Sequence, residues 1–158
     1  MRAICVVAVS LALFGCTQKP TAPDPVTNPD LSGAPSSIVV GGKTLTLTTS
    51  LWRDFMPISP PDGKPLVAVL EVRAADGSAV PADVRADMVW VVFGTETWSK
   101  APTDERPRSE TAPVYEFVAR DGPKWGPGVE VDVVVRLRTA GGTTYLLSAR
   151  KRPIGRTM

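Results

Sequence analysis

The sequence predicts an all-β fold: a single sandwich of about seven strands, carried behind a leader and a proline-rich tether. Three observations carry this expectation. From Ser37 onward, apolar residues recur with the period of two that places alternate side chains on one face of a strand. Clusters of glycine, proline and aspartate separate these runs, as turns require. No stretch of about twelve residues carries the apolar stripe of a packed helix.

The expected elements follow in order. Residues 38–40 are a short apolar run, and Gly41-Gly42 supplies a two-residue hairpin signal. Leu45, Leu47 and Leu51 then alternate with Thr44, Thr46 and Thr48, so one face is expected inside and one wet. Residues 66–72 form a second run, closed by the Asp76-Gly77 turn. Residues 88–93 are apolar on both faces and include Trp90, as in a central strand. Residues 97–112 are polar, charged and proline-bearing, and read as one long loop. Residues 115–120 form a shorter strand. In 129–137, Val131, Val133, Val135 and Leu137 share one face, and Glu130, Asp132 and Arg136 the other. Ala140-Gly141-Gly142 turns the chain, and 143–150 returns it.

The expected domain covers 37–153, with 154–158 as a tail. Strand count and size resemble those of an immunoglobulin-like sandwich, and Trp90 on a middle strand suits its core. The competing layout is a small closed barrel of the OB type.

Ahead of the domain, residues 16–36 contain Pro20, Pro23, Pro25, Pro29 and Pro35 among small polar residues. Such a segment favours an extended linker. Its alternative use is as a proline-rich ligand for another protein. Residues 1–15 have the parts of a secretory signal: Arg2, an apolar run over 3–14, and small Gly15 before the cut. Leu13-Phe14-Gly15-Cys16 resembles the lipobox of bacterial lipoproteins, departing from it at Phe14. The resemblance implies cleavage before Cys16, lipidation of the Cys16 thiol and anchorage to a membrane of the cell envelope. Thr17 stands where an inner-membrane retention signal would have aspartate, so the expected site is the outer membrane, facing the periplasm.

Composition narrows the chemistry. The 158 residues include no histidine, which excludes Ser-His-Asp and Cys-His catalysis and His-ligated metal sites. Eighteen basic against sixteen acidic residues give a net charge of +2, too small for bulk nucleic-acid binding. Cys5 lies in the leader and Cys16 in the lipobox, so the domain has no disulfide. No cofactor or metal is expected. Ser148 and Lys151 have the S-x-x-K spacing of penicillin-binding enzymes, but on a strand they point to opposite faces. Asp104, Glu105, Glu110 and Glu116 cluster in and beside the long loop, where two carboxylates could act on a glycosidic bond. Arg106 and Arg108 are interleaved with them, as in an ordinary solvated loop.

After Asp132 there is no acidic side chain. Arg136, Arg138 and Arg150 are therefore the candidate binding residues of a basic terminal hairpin, facing an envelope protein or an anionic polymer. Acids on neighbouring strands would neutralise that patch. Trp125, in a Gly/Pro loop, is a fourth candidate: either an exposed contact residue or a plug over the end of the sandwich. The expected function is a lipid-anchored binding or assembly module without catalysis. The alternatives are an envelope-polymer hydrolase using loop carboxylates and a structural spacer.

Overall fold

Leucine and threonine alternate along β2 (Lys43–Asp54), burying Leu45, Leu47 and Leu51 and leaving Thr44 and Thr48 in water. The same logic builds β3 (Leu66–Ala74), where every odd side chain outward is matched by a buried Leu66, Ala68, Leu70 or Val72 inward. A computed structural model of the chain describes residues 29–106, 108–109 and 111–158. The leader, Cys16 and most of the tether lie outside these residues.

Six further strands complete the fold: β1 (Ser37–Val40), β4 (Arg85–Phe93), β5 (Glu96–Lys100), β6 (Val114–Gly122), β7 (Glu130–Arg138) and β8 (Thr144–Thr157). They form one curled mixed sheet in the order β5-β4-β7-β8-β2-β3-β6, with β1 added to β2. The curl brings β2, β3 and β6 over β4, β7 and the first half of β8. The core lies between: Leu45, Leu70, Val72 and Phe117 on one side, Val89, Val91, Val133, Val135 and Leu147 on the other. The fold is all-β and sandwich-like, with eight strands among the described residues where about seven were expected. The fold class expected from the sequence is therefore the one observed.

β8 joins the two layers. It pairs antiparallel with β7 from Thr144 to Pro153, then parallel with β2 from Ile154 to Thr157. The change of partner follows a bulge at Lys151, whose φ is +51°. Bulges bend a strand and raise its twist. Asp132 fixes this one: its carboxylate accepts from the Lys151 amide at 2.9 Å and from Arg150 at 3.2 Å.

The structure departs from the sequence expectations at four places. Of residues 154–158, read as a tail, 154–157 supply the end of β8, and Ile154 is buried. The segment read as one long loop begins with a strand, β5, which pairs with β4. The domain begins before Ser37, because Leu31 and Ala34 pack on the outside of the sandwich. Trp90 belongs to that outer cluster and not to the main core. Its neighbours Val89 and Val91 face inward, so the alternation of the strand turns Trp90 out.

Candidate binding surface

The outer face of the four-stranded layer carries Met88, Trp90, Val134 and Leu146. Left bare, these would form an exposed apolar patch. Residues 31–35 cover it like a strap. Ser148 holds the strap, its amide donating to the Pro35 carbonyl at 2.7 Å and its hydroxyl to the Ala34 carbonyl at 2.8 Å. Arg150 adds bonds to the carbonyls of Leu31, Ser32 and Ala34 at 2.7, 3.0 and 3.2 Å. Asp30 closes the turn by accepting from the Ser32 hydroxyl and the Gly33 amide, which hold its carboxyl below the ordinary range.

The three candidate arginines are thus occupied. Arg136 donates to Asp87 at 2.6 Å and Arg138 to the other oxygen of the same carboxylate at 2.9 Å. Partial burial opposes the charge on Asp87, but the hydrogen bonds and charges of both arginines prevail and lower its pKa. Arg136 also lies 5.8 Å over the Trp90 ring. Arg150 pairs with Asp132 and grips the strap. Neutralisation by neighbouring acids is the arrangement found, with Asp87 on β4 as an acid the sequence reading did not single out. Ser148, inside this network, is a strap anchor. Lys151 is exposed at the bulge.

Trp125 folds back on the sandwich end. Its ring stacks at 5.6 Å and 47° to Phe93, and its indole N–H donates to Glu96 at 2.6 Å. Beside it, Arg53 is 3% exposed and ties two loops together through main-chain carbonyls: Lys64 at 3.0 Å, Lys124 at 3.0 Å, Gly126 at 2.7 Å and Asp62. Nothing in the sequence marked Arg53, because its partners are backbone atoms.

The long loop after β5 builds a hollow against β3 and β6. Thr103 bridges to Val118 on β6, with reciprocal N–H···O bonds of 2.9 Å. Glu105 accepts two bonds from Arg120, at 2.6 and 2.8 Å, and these hold its carboxyl below the usual range. Asp104 accepts from the Tyr115 hydroxyl at 2.9 Å, and the same hydroxyl accepts from the Ala86 amide at 3.1 Å. Burial, aided by the Asp104 charge, pushes Tyr115 up to about 12. Arg108 lies 4.5 Å over the Tyr115 ring and donates to the carbonyls of Val84, Val80 and Pro81 at 2.8, 2.8 and 2.6 Å. Burial and the nearby Arg85 charge weaken its hold on its proton.

Between this loop and the outer face of the three-stranded layer lies a hollow of about 360 Å³. Glu71, Arg73, Arg106, Val114 and Glu116 line it, with Arg108 at its base. Arg73 pairs with Glu71 at 2.7 Å. Of the loop carboxylates, Asp104 and Glu105 serve as acceptors that hold the loop, Glu116 faces the hollow, and Glu110 lies outside the described residues. Among the described residues no three metal-ligating side chains come together. No family model, curated protein or solved structure matches this chain.

Proposed function

We propose that the protein is a lipid-anchored binding or assembly module of the bacterial cell envelope, acting without catalysis and joined to a membrane through Cys16. The hollow beside the long loop is its contact surface for another envelope protein. The observation that carries this choice is the pairing of the basic residues. Arg136 and Arg138 are bound to Asp87, and Arg150 to Asp132, so these three arginines offer an anionic polymer little free charge. The hollow instead alternates charges: Arg73 and Arg106 against Glu71 and Glu116, around apolar Val114. Mixed charge around an apolar floor suits a protein surface, because complementary potentials fix register and reject wrong partners.

The test is site-specific photo-cross-linking from Val114 in intact cells. The expected outcome is a discrete adduct that disappears in the double variant Arg106→Glu, Glu116→Arg while membrane fractionation is unchanged. An adduct pattern indifferent to the charge reversal refutes the hollow as the contact. Cys16→Ala is expected to leave the protein uncleaved or soluble. Normal maturation and membrane fractionation of that variant would refute the anchor.

A further inference from the structure

Large hydrophobic side chains are exposed unevenly on the sandwich. Among the described residues Val39, Met56, Ile58 and Met158 stand out, at 63, 47, 87 and 84% exposure. Val39 is on the edge strand β1. The other three share one end, where the β2–β3 loop of residues 55–65 meets the last residues of β8. Phe55 donates its amide to the Thr157 carbonyl at 3.0 Å, which places Met56 and Met158 beside the same junction.

The loop is a built finger. Ser59 donates to the Met56 carbonyl at 2.7 Å, Gly63 to Pro60 at 2.8 Å and Lys64 to Asp54 at 2.8 Å. Arg53 holds the Asp62 and Lys64 carbonyls from inside. Phe55 is clasped between the guanidiniums of Arg53 at 5.0 Å and Arg156 at 4.6 Å. Gly63 permits the clasp: its φ is +75°, and a Cβ there would meet the Phe55 ring at 2.6 Å. A finger so fixed cannot fold its tip back to hide Ile58. Its charges are also balanced at the base, Lys64 with Asp54 at 3.0 Å and Lys124 with Asp62 at 2.6 Å.

We propose that this finger is a lipid-contacting surface, which seats Met56 and Ile58 in the interface of the bilayer to which the chain is tethered. The inference rests on the lipid anchor proposed above. Reach supports it. Twelve residues lie between Cys16 and Pro29, thirteen steps and at most about 45 Å of chain. The strap is gripped by Arg150, and from there to Thr157 β8 runs seven residues, about 23 Å. The finger is therefore within the tether's length of the membrane. A narrow tip bearing two apolar side chains suits a fluid apolar medium. A stable protein partner would instead require about 800 Å² of complementary surface. Exposed Arg156, over the Phe55 ring at the start of the finger, supplies a cation for a lipid phosphate.

The experiment uses the full acylated chain in vesicles of phosphatidylethanolamine and phosphatidylglycerol with brominated acyl chains. A bimane label is placed at Ile58→Cys or, at the opposite end, at Ala140→Cys. With the leader removed and Cys16 acylated, each variant has one reactive thiol. The expected result is several-fold stronger bromine quenching at position 58 than at 140, relieved by Met56→Asp. Equal quenching in a chain that still floats with the vesicles overturns the lipid contact and leaves the anchor standing. Burial of the label without bromine quenching means a protein occupant and also overturns it. A chain that does not float overturns both readings.

Discussion

Arg150 of β8 donates to Asp132 of β7 across 3.2 Å, at the bulge where β8 changes layers. The same guanidinium holds the strap over Trp90. One side chain therefore couples the bend that closes the sandwich to the segment that begins it.

Arg150→Ala removes the grip on three strap carbonyls and leaves Asp132 short of a donor. The expected loss is about 2 kcal/mol, the scale of charge-assisted hydrogen bonds. Urea denaturation checks the magnitude. Limited proteolysis is expected to cut the variant first within residues 29–36, where the wild type resists.

Arg53→Leu preserves bulk but strands four carbonyls in two loops. Arg53 is itself buried and its bonds are charge-assisted, so the expected destabilisation is about 3 kcal/mol. Arg53→Lys is expected to recover little, because one ammonium cannot span carbonyls on both loops. Denaturation midpoints for the two variants check this.

Asp87 titrates below its unfolded value because Arg136 and Arg138 bond its charged form. A carboxyl depressed on folding contributes stability above its unfolded pKa, and that contribution is lost as pH falls through the folded value. The protein is thus expected to lose stability below about pH 4, near the unfolded aspartate value. Asp87→Asn is expected to flatten that acid limb and lower stability at neutral pH. Denaturation at pH 7 and pH 3 measures both.

Tyr115 gives the opposite limb. Its folded pKa of about 12 lies above the ordinary tyrosine value of 10.0. Stability from keeping the phenol neutral is complete below pH 10 and fades as pH rises towards 12. Spectrophotometric titration of Tyr145→Phe is expected to show no phenolate at pH 10.5 while the fold persists, followed by cooperative ionisation with unfolding. Gradual ionisation centred near 10 would contradict the burial of this hydroxyl.

Strands with one dry face were legible in the sequence, because alternation is a direct imprint of burial. β2 and β7 declare themselves in this way. β5 did not, since Glu96-Thr97-Trp98-Ser99-Lys100 is an edge strand with Trp98 as its sole large apolar residue. The end of β8 was masked by Arg-Lys-Arg-Pro, which resembles a solvated tail until Ile154 is seen beside Leu51 of β2. The basic hairpin was legible as composition, but its neutralisation depends on register: Asp87 meets Arg136 and Arg138 only because β4 pairs with β7. Trp90 was misplaced for a related reason. Parity turned it outward, and only the tertiary path of residues 31–34 explains why it is dry. Trp125 was left between two roles, and its contacts with Phe93 and Glu96 select the plug.

The parallel pairing of Leu51 with Ile154 has a kinetic corollary. A ribosome delivers the two partners far apart in time, and no fragment lacking the later one can zip the seam shut. Until Ile154 is made, the seam between the two layers stays open and the apolar faces on either side of it lack their cover.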